Sequence, residues 1–204
     1  MKISVIGPGN VGSALAEGWA NKGHEIFLGA RNPGDEKYNE LTSNKNITVH
    51  SIADAAELAD VILIALPPEA LKEVCEQFGD LSDKVIIDAM NSFSSKAGDY
   101  ENTGYALKDW TNCWDVVKCF NTIGYEGMKD PDYNGVTADM FTAGDSAKGK
   151  EIAVKLSNDM GFKECYYIGG DDKFTLLEEL AFAWINLAIF QKAGRDIAFK
   201  VLKR

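Results

Sequence analysis

Lys2-Ile-Ser-Val-Ile-Gly-Pro-Gly-Asn-Val-Gly-Ser-Ala-Leu-Ala16 is the stretch that decides the fold. Ile3, Val5 and Ile6 are β-branched and run straight into Gly7, the pattern of a short buried strand stopped by a glycine turn. Gly7, Gly9 and Gly12 form G-x-G-x-x-G. From Ser13 to Asn21, Ala14, Leu15, Gly18 and Trp19 recur at helical spacing. Glycines held between a strand and a helix are the context in which this fingerprint cradles a dinucleotide. The first glycine permits the tight turn, the second lets the backbone approach a pyrophosphate, and the third lets the helix pack on the strand. The N–H groups of Asn10 and Val11, at the helix start, face phosphate oxygens along the helix dipole in this reading. Pro8 has no N–H to give and only shapes the loop.

The second apolar run, Glu25 to Leu28, leads into Gly29-Ala30-Arg31-Asn32. NAD sites usually carry an Asp or Glu near this point to hold the ribose 2′-hydroxyl. No acid stands there. An arginine suits a 2′-phosphate, through its planar fork of charged donors. The expected cofactor is therefore NADP(H) rather than NAD. Lys37, on the polar loop that follows, is either an auxiliary cation or a solvated lysine.

Composition bounds the rest. The chain has 204 residues, 21 basic and 31 acidic, and a formal net charge of −10. That balance argues against broad nucleic-acid or anionic-membrane binding. Met1-Lys2 leads directly into the first strand, so no signal peptide is expected. The longest apolar run, Leu180 to Phe190, is too short to span a bilayer. The four cysteines are scattered without C-x-x-C and read as reduced thiols. The two histidines, His24 and His50, are far apart and fall at expected strand edges, with no metal-ligand spacing. A cytoplasmic protein is expected.

Along the chain, strand and helix patterns alternate. Ile47 to His50 reads as a third strand, and Ser51 with Asp54 as a helix cap. Val61 to Leu66 is apolar on both faces, as in a central parallel strand. Pro67 and Pro68 end it and open a helix. Lys84 to Asp88, Asp115 to Cys119, Ala138 to Thr142 and Lys163 to Ile168 are further strands. Helices are expected over Tyr105 to Cys113, with Trp110 inward, and from Ser146 to Met160. This is the rhythm of a doubly wound, mostly parallel α/β sheet, expected over residues 1–168. From Phe174 onward the pattern is helical and apolar all round. A helix of that kind has to be buried, on the sheet or in a subunit interface, so residues 169–204 are read as a small helical part and the chain as a homodimer. Ligands of such sheets sit outside the carboxyl ends of the strands. The loops Ala65-Leu66-Pro67-Pro68 and Ala89-Met90-Asn91-Ser92, and the one after Cys119, are thus candidates to surround the nicotinamide. Leu66 and Pro67 offer an apolar wall. Asn91 is either a ligand to a carboxamide or ribose, or a turn residue.

These motifs resemble a known family. Gly7-Pro8-Gly9-Asn10-Val11-Gly12, Gly29-Ala30-Arg31-Asn32-Pro33, Ala65-Leu66-Pro67, Asp88-Ala89-Met90-Asn91, Val116-Val117-Lys118-Cys119-Phe120-Asn121-Thr122 and Leu177-Glu178-Glu179-Leu180-Ala181 are similar, in that order, to the NADP oxidoreductases of the coenzyme F-420-dependent type. The same fold forms the reductase domain of the STEAP-type metalloreductases. The resemblance implies a Rossmann domain with a small C-terminal helical part. It implies that Pro8 to Val11 cradle the pyrophosphate, and that Ala30, Arg31 and Asn32 surround the 2′-phosphate. Leu66 and Pro67 would line the ribose and nicotinamide. Ala30 stands where the archaeal deazaflavin enzymes usually carry a serine, and Asn121 where they carry a histidine.

The implied activity is hydride transfer between NADP(H) and a flavin or deazaflavin, the small-molecule electron acceptor. Such transfer needs stacked rings and excluded water, with no obligatory general base. Phe120, Asn121 and Asn91 would then position rather than react. Two other readings stay open: a reductase of a small carbonyl or imine, and a non-catalytic NADP-binding sensor. The carbonyl class often relies on a lysine or tyrosine proton donor, and Lys118, which precedes its loop, is read as pointing elsewhere.

Overall fold

The computed structural model describes residues 1–204. The opening apolar run forms β1 (Lys2–Ile6), and the chain turns through its glycines into α1 (Asn10–Asn21). β2 (Glu25–Gly29), a short α2 (Asn39–Thr42) and β3 (Ile47–His50) follow. Ser51 caps α3 (Ile52–Leu58), its Oγ accepting from the Asp54 backbone N–H at 3.1 Å. β4 (Val61–Ile64) leads through the two prolines into α4 (Leu71–Cys75), and β5 (Val85–Asp88) comes next. α5 (Thr103–Trp110), capped by Asn102, precedes β6 (Val116–Cys119) and α6 (Tyr125–Lys129). The chain closes with β7 (Asp132–Tyr133), β8 (Val136–Thr137), β9 (Met140–Ala143), α7 (Ala147–Asp159), β10 (Cys165–Tyr167) and α8 (Phe174–Ile185).

One eight-stranded sheet runs in the order β10-β9-β6-β5-β4-β1-β2-β3. From β3 to β6 every pairing is parallel. β9 then runs antiparallel to β6, with Cys119 opposite Thr142, and β10 runs parallel to β9. The central strands are buried on both faces, which is why β4 reads as an unbroken apolar run. On one face Leu15 and Trp19 of α1 and Leu156 of α7 pack over Val5, Leu63 and Val117. On the other, Ala55 of α3, Val74 of α4 and Leu107 of α5 cover Ile6, Ile64 and Ile86.

Three features depart from the sequence reading. β7 and β8 form a hairpin that the periodicity passes over; its turn is Asn134-Gly135, both at positive φ (57° and 87°). His24 is buried rather than at an exposed edge, with Nε2 2.9 Å from Asp159 Oδ2. The C-terminal helix is not buried all round. Phe174, Leu177, Glu178, Ala181 and Trp184 face inward, Phe174 and Leu177 against Phe141 and Ala143 of β9, whereas Leu176 and Phe182 of α8, and Leu187, Ile189 and Phe190 of the wider helical turn that continues it (Asn186–Phe190), are exposed. The sheet offers the helix a single surface, so its other side faces out. The last residues fold back: Ile197 O accepts from Trp184 Nε1 at 2.7 Å, and Asp139 Oδ2 accepts from the Val201 N–H at 2.7 Å. No helix is long and apolar enough to cross a membrane.

Candidate functional site

β1 lies between β2 and β4, so the connections leave it toward opposite edges of the sheet, and a crevice opens beyond the carboxyl ends of β1 and β4. The three glycines of the first turn do different work there. Gly7 sits at φ 95°, and a Cβ on it would collide with the Ala65 carbonyl and lie 2.7 Å from Leu66 Cδ2. A Cβ on Gly12 would strike the Gly7 carbonyl, so that glycine sets the approach of α1 to β1. At Gly9 nothing lies within 4 Å of where a Cβ would stand. The backbone there is bare on its open side, and α1 begins with no side-chain cap on its first N–H groups. A pyrophosphate fits both features, because it needs close backbone approach and uncommitted N–H donors.

A cleft of about 390 Å³ joins this turn to the end of β2. Gly7, Pro8, Gly9, Ala30, Arg31, Asn32, Ala65, Leu66 and Pro67 line it, together with Lys37, Tyr38 and the apolar Ile52, Ala70 and Val74. Asn10 and Val11 stand outside that lining, at the helix start. The Arg31 side chain is largely exposed at the mouth, 3.8 Å from Glu73 Oε2 on α4. Lys37 also lines the cleft, its Nζ 2.9 Å from Asp35 Oδ2. Two cations rim one end of the cleft, and the end of β2 carries no acid.

With its 2′-phosphate end at Arg31 on the β2 side, a dinucleotide in this cleft would point its other half toward β4, β5 and β6. The loops after β5 and β6 meet there. Asn91 Nδ2 donates to the Asn121 carbonyl at 3.1 Å, and Asn121 Nδ2 donates to Asn91 Oδ1 at 2.9 Å. Each amide therefore orients the other, and Asn91 keeps one N–H and one lone pair for a ligand. Asn121 also donates to the Leu177 carbonyl on α8, and its Oδ1 is buried without a partner. Phe120 is elsewhere. Its ring is fully buried, edge-on to Trp19 at 5.5 Å between centroids. The backbone at Phe120 takes φ 64°, which swings the ring into the core and Asn121 toward Asn91, so a side-chain role against the substrate is corrected to a role in shaping the turn.

Lys118 points away from the cleft, as read from the sequence, and the structure adds its partners. It points beneath the Ala89–Ser92 loop and is completely buried. Its Nζ lies 2.7 Å from Asp88 Oδ2 and 2.8 Å from Glu178 Oε1, and donates to the Met90 carbonyl at 3.0 Å. Burial lowers the proton affinity of this ammonium, but the two carboxylates outweigh burial and hold its pKa above the ordinary value. The signal for this cluster was in the sequence: a lysine inside Val-Val-Lys-Cys and an acid ending Val-Ile-Ile-Asp are charges at positions where a central strand is apolar.

Residues 2–92 match the sequence profile of the NADP oxidoreductases described as coenzyme F-420-dependent. A glycerol-3-phosphate dehydrogenase [NAD(P)+] of Chlorobium phaeobacteroides is 34% identical over 114 residues, covering 48% of this chain and 34% of that protein. The chain thus spans about a third of the length of the curated relatives it matches. Among solved structures, a protein of an Arthrobacter species, provisionally named an F-420-dependent NADP-reductase, superposes over the whole of both chains with a TM-score of 0.85 at 23% identity. A reductive aminase from Aspergillus terreus in complex with NADPH4, cyclohexanone and allyl amine matches 94% of this chain and 62% of its own, at a TM-score of 0.70 and 17% identity. The two solved structures share the Rossmann architecture of this chain, and over residues 2–92 its sequence is similar to that of the coenzyme F-420-dependent NADP oxidoreductases.

Proposed function

We propose that the protein is an NADPH-dependent oxidoreductase that passes a hydride to a flavin or deazaflavin. The observation that carries the cofactor reading is Arg31, at the acid-free end of β2, opening on the same cleft as the bare backbone of Gly9. Arg31 and Lys37 take the 2′-phosphate, Pro8 to Val11 the pyrophosphate, and Leu66, Pro67 and Asn91 the ribose and nicotinamide. When bound, the dinucleotide supplies the hydride; the chain orients the ring and keeps water from it. Asn91, clamped by Asn121, sets the carboxamide. Lys118 is sealed between two carboxylates and gives no proton to a substrate. That favours an acceptor whose proton exchanges with solvent over a carbonyl or imine.

The test is NADPH oxidation with FMN, FAD, riboflavin and coenzyme F-420 as acceptors, beside small ketones and imines. Saturable turnover with a flavin or deazaflavin alone is expected. Turnover confined to carbonyls or imines would replace this reading, and NADPH binding with no turnover would make the protein a sensor. The exposed apolar side of α8 supports a homodimer as the working form.

A further inference from the structure

The buried cluster beneath the Ala89–Ser92 loop is out of charge balance. It holds one ammonium, Lys118, and two carboxylates, Asp88 and Glu178, and neither carboxylate pairs with a second cation. Thr103 Oγ1 donates to Asp88 Oδ2 at 2.6 Å, but a hydroxyl brings no charge. All three charged groups are shielded from solvent, with Lys118 and Asp88 at 0% exposure and Glu178 at 6%. The carboxylates also grip the loop above them. Asp88 Oδ1 accepts from the Met90 N–H at 2.9 Å, and Glu178 Oε2 from the Ser92 N–H at 2.8 Å. These two N–H groups flank Asn91, so the excess charge lies directly under the loop that carries it. Such a cluster is a poor device for stability alone. Apolar residues of the same volume generally serve a core as well or better.

We propose that the Lys118–Asp88–Glu178 cluster, with one formal negative charge in excess, makes the site prefer the oxidised, cationic nicotinamide over the reduced, neutral one. The proposal rests on the reading of the cleft as an NADP(H) site. The reduced ring is a neutral dihydropyridine and the oxidised ring a pyridinium cation; the hydride that separates them goes to the flavin or deazaflavin acceptor. Screening by water is weak in a dry interior. At an effective dielectric of about 20, a unit charge felt across about 10 Å changes a binding ratio on the order of tenfold. All three groups are buried beneath the loop, so the part of the cluster is to set the potential at the ring and to hold Asn91.

The experiment measures dissociation constants of NADP+, NADPH and 2′,5′-ADP, which lacks the nicotinamide. It uses the wild-type protein and the variants Glu178→Gln, Asp88→Asn and Glu178→Asp. The wild type is expected to bind NADP+ at least as tightly as NADPH. Glu178→Gln and Asp88→Asn each weaken NADP+ relative to NADPH by about tenfold and leave 2′,5′-ADP unchanged, whereas Glu178→Asp keeps the wild-type ratio. A role in packing alone moves all three ligands together. An unchanged NADP+ to NADPH ratio in both neutralised variants overturns the proposal. So does a wild type that binds NADPH more than about tenfold tighter than NADP+, and that arm decides the matter if the variants do not fold. Failure of the wild type to bind 2′,5′-ADP or NADPH at all sinks the cofactor reading instead.

Discussion

At Gly7 and Gly9 the same amino acid meets opposite constraints, and substitution separates them. Gly9→Ala meets nothing within 4 Å, and its backbone (φ −84°, ψ −161°) suits any residue. This variant should melt within about a degree or two of wild type yet lose NADPH affinity, because the methyl group stands where the pyrophosphate approaches. A calorimetric melt beside a binding titration checks it; a lower melting temperature with unchanged affinity refutes it. Gly7→Ala, at φ 95° and against the Ala65 carbonyl, should instead cost roughly 1–3 kcal/mol of stability. Arg31 is a third local case. Arg31→Ala should weaken NADPH by about tenfold to a hundredfold, the worth of charged hydrogen bonds, and NADH hardly at all. Equal loss for both would remove the 2′-phosphate assignment.

At the scale of elements, Lys118 joins β5, β6, α5 and α8 at one point. Lys118→Met leaves Asp88 and Glu178 buried and unpaired, and should lower the unfolding free energy by about 3–5 kcal/mol in a urea titration. A loss below about 1 kcal/mol would mean that water reaches the carboxylates. A second link ties the chain end to α6, where Arg195 Nε and Nη2 meet Glu126 at 2.6 and 3.0 Å. The hydrogen bond from Arg195 holds the Glu126 carboxyl below its ordinary value of 4.5. A depressed carboxylate stabilises the fold above its unfolded value and loses that contribution as pH falls through the folded one. The stability difference between wild type and Glu126→Gln should therefore be present at about pH 6 and vanish toward about pH 3. An equal difference at both would show that the charge on Glu126 is not what binds the tail.

For the whole molecule, the sheet order puts the two halves of the proposed dinucleotide on opposite sides of β1, with α8 closing the nicotinamide side. The apolar outer side of α8 then faces solvent in a single chain. Sedimentation should find a dimer, and Phe182→Glu with Phe190→Glu should shift it to monomer without lowering NADPH affinity. A monomeric wild type would leave that surface for another role.

What was legible in the sequence was what depends on neighbours along the chain. The glycine turn, Arg31 and the Ser51 cap each act within a few residues of themselves, so spacing and side-chain chemistry determined them. The β-branched runs determined the parallel sheet, since only strands buried on both faces tolerate them. Phe120 was misread, and the partners of Lys118 went unseen, for one physical reason. A residue at the end of a central strand points to a face that distant elements decide, and the positive φ at Phe120 and the carboxylate of Glu178 are invisible to local pattern. Ser92 and Glu178 are 86 positions apart and meet only because α8 returns over the β5 loop. The sequence by itself thus determined the fold class and the glycine turn between β1 and α1. Only the tertiary structure decided what lies beneath the Ala89–Ser92 loop, because the balance of charge in a buried cluster is set by which distant side chains share it.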